Sequence, residues 1–175
     1  MKTVNVTIKG KSPLLMHAFP LVPIEALEKK SPQEQAEYAA YRDPTTGELY
    51  IPGVAFQRAL VAAAAYSKGK GRASLQKIAA ACLLVSPERA SLGNGTEYTV
   101  DSRPVVVPAT KGRIMRHRPR LDEWECSFEI EFDENLLTEA QVRRIVDDAG
   151  SLVGLLDFRP ANKGPFGRFM VVEWS

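Results

Sequence analysis

Glu123-Trp124-Glu125-Cys126-Ser127-Phe128-Glu129-Ile130-Glu131-Phe132 alternates without a break. Trp124, Cys126, Phe128, Ile130 and Phe132 share one face; Glu123, Glu125, Ser127, Glu129 and Glu131 share the other. Successive side chains of a strand point to opposite faces, so this stretch reads as a half-buried strand in a sheet with one acidic, open side. Downstream, Thr138-Glu139-Ala140-Gln141 is a capping box. The helix it opens carries Val142, Ile145, Val146, Ala149, Leu152 and Val153 on one face, and Gly154 is placed to end it. A loop then leads into a final strand, Arg168 to Trp174.

Upstream, Thr3 to Lys9 alternates in the same way, with Val4, Val6 and Ile8 on the inner face. Residues 10–47 pass through Pro13, Pro20, Pro23, Pro32 and Pro44 and read as an irregular insertion. It holds one helix, capped by Ser31 with Pro32 at its first position and ending near Tyr41. Asp43 to Gly47 is a turn and Glu48 to Ile51 a short strand. Pro52-Gly53 opens a helix with Phe56, Ala59, Leu60 and Ala63 on its apolar stripe. A further helix carries Leu75, Ile78, Ala79 and Cys82, which makes Cys82 a core residue. Tyr98 to Val107 reads as extended and Lys111 to Arg120 as a basic arm, within a second insertion at about 67–120. The order is β-α-β-β-α-β. It predicts an α+β, ferredoxin-like antiparallel sheet with two helices on one face, helical and hairpin insertions, and one domain over residues 1–175.

Composition narrows the function classes. With 45% hydrophobic and 25% charged residues in 175, the chain has the make-up of a globular protein, not of a coiled coil, a collagen or a disordered tail. The longest apolar run, Ala59 to Tyr66, is too short for a membrane span, and the N-terminus has no apolar signal core. Two cysteines without metal or redox spacing fit a reducing cytoplasm. No P-loop, dinucleotide fingerprint, nucleophile elbow or zinc spacing occurs, so no cofactor and no metal is expected.

The net charge of +2 hides a segregation. Residues 51–120 carry twelve Lys and Arg against Glu88, Glu97 and Asp101, a balance of +9; residues 121–150 carry ten acids against Arg143 and Arg144, a balance of −8. Either the basic block serves a polyanion, or the two blocks pair in the fold. An RNA-recognition motif has this topology but stacks bases on an exposed sheet, and here that face is glutamate. Nucleic acid must therefore meet loops and insertions.

Three segments, with Arg58 on the first long helix, supply such a site. Lys68, Lys70 and Arg72 alternate with glycine in a loop. Lys111, Arg113, Arg116 and Arg118 lie in a stretch with five cations and no acid, interleaved with Ile114 and Met115, which can wedge against bases. The loop Gly154 to Arg168 brings Arg159, Lys163 and Arg168, the aromatic rings of Phe158 and Phe166, and Gly164 and Gly167 where the backbone turns tightly.

That loop, lying between the last helix and last strand, resembles the glycine-rich signature of the RAMP superfamily of CRISPR-associated proteins. Tyr50-Ile51-Pro52-Gly53-Val54-Ala55-Phe56-Gln57-Arg58 is similar to the family's motif at its first helix. Family loops place a hydrophobic residue between two final glycines, where this chain has Gly164-Pro165-Phe166-Gly167. The resemblance implies single-stranded nucleic acid tracking over the glycine loop and a protruding basic hairpin. It also implies partners that are copies of the chain or other CRISPR-like subunits, or a free-standing or phage-encoded relative. The reading reached is a non-catalytic, sequence-independent binder of single-stranded nucleic acid, of RNA before DNA, with no membrane partner. Its rivals are a metal-independent endoribonuclease using His17 or His117, since the processing endoribonucleases of that superfamily often use a histidine just after the first strand as general base, and an adaptor assembled through charge-paired subunits.

Overall fold

The computed structural model describes residues 1–175. In chain order the elements are β1 (Lys2–Gly10), β2 (Leu14–Leu15), α1 (Ile24–Glu28), α2 (Pro32–Ala39), β3 (Tyr50–Pro52), α3 (Gly53–Ala63), α4 (Gln76–Cys82), β4 (Leu84–Ser86), β5 (Arg89–Ser91), β6 (Thr99–Val106), β7 (Arg113–Leu121), β8 (Glu125–Phe132), α5 (Glu139–Asp148) and β9 (Phe169–Trp174). The main sheet has the order β4-β8-β1-β9, antiparallel throughout. With α3 after β1 and α5 after β8, this is the ferredoxin-like α+β arrangement.

The alternation in β8 produces the burial it predicts: Cys126, Phe128, Ile130 and Phe132 are buried and Glu125, Ser127 and Glu129 exposed. Register with β1 sets Val4 opposite Ile130 and Val6 opposite Phe128. The helices close over this face, with the Phe56 ring stacked on Phe128 at 4.2 Å between centroids. Val142, Ile145 and Val146 of α5 are fully buried. A Phe128→Ala change would leave a cavity costing about 3–5 kcal/mol. Thr138 accepts from Gln141 N while Gln141 accepts from Thr138 N, the reciprocal capping box. The helix then loosens into a π-turn over Ala149–Val153 and stops at Gly154, φ +76°.

Two differences from the sequence expectation matter. The strand that flanks β8 on the side away from β1 is the three-residue β4, too short to show an alternation. The stretches around 98–107 and 111–120 leave the main sheet, pair with each other as the hairpin β6–β7, and with β2 form a second sheet. α2 packs against this hairpin. No helix is long and apolar enough to cross a membrane.

Candidate nucleic-acid interface

The hairpin and the glycine loop meet through one face of the hairpin. Cross-strand pairing puts Arg103 opposite Arg116, Asp101 opposite Arg118, and Thr99 opposite Arg120, all on the same side. This side rests on the loop: Phe166 is buried, with the guanidinium groups of Arg103 and Arg120 at 4.9 and 5.4 Å from its ring centroid. Asp157 bonds Arg118, and Asp101 takes a two-pronged bond from Arg103 at 2.7 and 2.8 Å. Two carboxylates thus hold the inner arginines together.

Backbone bonds pin the loop. Asp157 N donates to Leu15 O, Gly167 N to Pro13 O, and Leu155 N to Gly167 O. Gly167 has φ +77°, and a Cβ there would run into the Leu155 carbonyl. Gly164 lies against the Phe158 carbonyl and ring, too close for any side chain. Phe158 itself is about one-third exposed, edge-on to Phe166.

Between this loop and α3 lies a cleft of about 280 Å³. Arg58 and Arg159 line it, with His17, Tyr41 and Asp157, against a wall of Ala55, Ala59 and Ala62. Arg159 Nη1 donates to Leu156 O at 2.8 Å, which orients it. His17 Nδ1 lies 3.6 Å from Asp157 Oδ2. Burial alone would raise the Asp157 carboxyl, but the neighbouring His17 and Arg118 outweigh it and hold the group at about 2. Asp157 is therefore a carboxylate at neutral pH. No cluster of three His, Cys, Asp or Glu side chains could hold a metal ion.

The sequence-derived candidates separate into groups. Arg58, Arg159, Lys163, Arg168, Gly164, Gly167 and Phe158 belong to the glycine loop and its cleft. Lys111 and Arg113 are exposed at the hairpin tip, and Arg116 is half buried below them. Arg118 is corrected: it is 5% exposed and bound to Asp157, so it supports the loop and offers no surface charge. Lys68, Lys70 and Arg72 are exposed but sit apart, Lys68 lying beside Ala140, Gln141 and Arg144 at the opposite end of α5. Apart from Arg118, none of these cations has an acid within salt-bridge distance. Arg120–Asp122 is the one salt bridge that joins the basic block to the acidic block, so charge pairing within the chain does not explain the segregation.

The architecture has a solved counterpart. The chain is similar to one from the cryo-EM structure of the Type III-B Cmr-beta bound to cognate target RNA, with a TM-score of 0.61 and 12% identity. At that identity the likeness is one of fold. It covers 99% of this chain, which spans 59% of that one. No family model and no curated protein matches the sequence.

Sequence reasoning missed Asp157, although a signal was present. It is the sole acid between Ala149 and Val172, in a loop otherwise cationic. His17 was named only as the base of a rival reading, and its nearness to Asp157 was not foreseen. In the structure Leu14, Leu15 and Met16 are buried and His17 faces out beside Asp157. His117 instead bonds Ser102 Oγ through Nδ1 at 2.6 Å.

Proposed function

We propose that this chain binds single-stranded nucleic acid, RNA before DNA, through phosphate contacts that do not depend on sequence, in the manner of the crRNA-binding backbone proteins of the RAMP superfamily. The observation that carries the reading is the set of cations without acidic partners, Arg58, Arg159, Lys163 and Arg168, on and beside a loop that its glycines let pack tightly on itself. The hairpin tip adds Lys111 and Arg113. A structural neighbour taken from the Type III-B Cmr-beta bound to cognate target RNA supports RNA as the strand. Copies of the chain or related subunits are the natural protein partners, because the glutamate row of β8 lies exposed and only Ser86 and Ser127 hydrogen bonds touch it.

The test is direct. Purified protein should carry nuclease-sensitive absorbance at 260 nm, and filter binding should retain single-stranded RNA, with affinity falling linearly in log–log against salt. Protein that retains neither RNA nor single-stranded DNA at low salt would refute the reading.

A second reading rests on Asp157. A carboxylate stands beside His17 in a cleft with Arg58 and Arg159, the parts needed to take a proton from a 2′-hydroxyl near a held phosphate. Arg118 binds that carboxylate more closely, and His17 makes no hydrogen bond to it. Binding is therefore the better supported function. Labelled RNA incubated without added metal should stay intact over hours; cleavage abolished by His17→Ala would establish the endoribonuclease instead.

A further inference from the structure

The cleft between α3 and the glycine loop holds a group that a phosphate site does not need. Phosphate recognition uses cations and N–H donors, which Arg58 and Arg159 supply. Asp157 has the opposite sign, and a carboxylate facing a polyanion weakens binding unless it accepts hydrogen bonds from the ligand. Its Oδ2 is bonded to Arg118 and faces His17, whereas its Oδ1 accepts no hydrogen bond within the protein. Arg118, itself buried, holds the carboxylate in place, and Asp157 is one of the residues that line the cleft. The opposite wall is smooth: Ala55, Ala59 and Ala62 recur at helical spacing on α3 and leave room for a flat ring. A volume of about 280 Å³ is at the small end of ligand cavities, suited to one nucleotide.

We propose that this cleft takes one guanine nucleotide of the bound strand, Asp157 accepting from the N1–H and N2–H groups of the base while Arg58 and Arg159 hold its phosphates. The proposal rests on the single-strand binding reading and adds to it one position at which the base is read. A carboxylate is an acceptor only, and Oδ1 with the remaining lone pair of Oδ2 presents two acceptors side by side. Guanine alone sets two donors side by side on its Watson–Crick edge. Adenine and cytosine offer one amino group beside a ring nitrogen acceptor, and uracil offers one N–H between two carbonyl oxygens, so each would turn an acceptor toward the carboxylate.

The experiment compares two labelled octamers, one all uridine and one with a single central guanosine, by fluorescence anisotropy at fixed salt. Wild-type protein should bind the guanosine strand roughly tenfold more tightly, the discrimination of a good two-bond contact. Inosine, which lacks the N2 amino group, should give up much of that gain. Asp157→Asn should abolish the preference. Because that change also disturbs Arg118, Ala62→Leu provides an independent arm: it fills the cleft without touching a polar group and should bring the two strands to equal affinity. Equal binding of both strands by the wild type would overturn the guanine site and leave the binding reading standing. Binding of neither strand would overturn the binding reading itself. Displacement of the uridine octamer by micromolar guanosine monophosphate would assign the cleft to a free nucleotide and overturn its place on the strand.

Discussion

Arg118 shows how a residue from a basic stretch of sequence can serve the interior of the fold and not its surface. Arg116 and Arg120 stand two positions to either side of it, and its guanidinium is spent on Asp157 in the interior. Arg118→Ala would strand a half-buried carboxylate, and we expect a loss of about 3 kcal/mol in urea unfolding. Arg168, exposed and free of any acid, should behave oppositely. Arg168→Ala should leave the melting temperature in place and lower the slope of log K against log salt by about 0.7, one phosphate contact on a single strand. An Arg168→Ala protein with the wild-type slope would take Arg168 out of the interface. The same pair gives a pH dependence with a defined sign. Asp157 titrates at about 2 when folded and an unfolded aspartate near ~3.9, so the folded state favours the ionised form. Its contribution is complete above about pH 4 and disappears as pH falls toward 2. The stability gap between wild type and Asp157→Asn should therefore narrow by about 1 kcal/mol from pH 5 to pH 2, the figure being reduced because water reaches the side chain. A gap that stays constant over that range would show that the pair does not stabilise the fold.

At the scale of elements, the hairpin and the glycine loop are one unit joined by Arg118–Asp157 and by the stacking of Arg103 and Arg120 on Phe166. Lys111, Arg113 and Arg116 are the hairpin cations left to contact a strand. Replacing the three with alanine should reduce affinity for all single-stranded sequences alike, with the salt slope falling by about 2; sequence-dependent losses would instead mean that the hairpin reads bases. In the loop, Gly167→Val meets both a positive φ and the Leu155 carbonyl, so it should cost about 2 kcal/mol or more and weaken binding as well. A Gly167→Val protein with wild-type stability would show that the loop is looser than its bonds to Pro13 and Leu155 indicate. These two elements also mark what a sequence discloses. The strands β1 and β8 and helix α5 were readable because each carries several periods of local pattern, and α5 opens on its own capping box. The strand β4 was not, since three residues hold no period, and its place comes from pairing with Glu129 to Glu131 far along the chain. The loop's glycines announced a tight turn, while the partners of Arg118 and His17 did not show. Asp157 lies 39 positions from Arg118, and only the fold brings them together.

Across the whole molecule the charge is arranged in separate territories. Glutamates occupy the open face of the main sheet, free cations gather at the cleft and hairpin tip, and a second basic patch lies at Lys68, Lys70 and Arg72. The patches stand at opposite ends of α5 and its π-turn. Thirteen residues from Gln141 to Gly154 at helical rise give a separation of about 20 Å. A stacked strand advances about 3.4 Å per nucleotide, so about six nucleotides are needed to span the two patches. Length therefore decides whether the distal loop contributes. With Lys68, Lys70 and Arg72 all replaced by glutamine, affinity for a tetranucleotide bound at the cleft should be unchanged, because that strand ends short of the loop. Affinity for a 20-mer should fall several-fold and its salt slope by about 2, since three phosphate contacts are then missing. A loss that is equal for both lengths would mean that the loop acts on the cleft through the field of the whole protein, not by touching the strand. No loss at either length would make it a solvated connection between α3 and α4, and would confine the interface to the glycine loop and the hairpin.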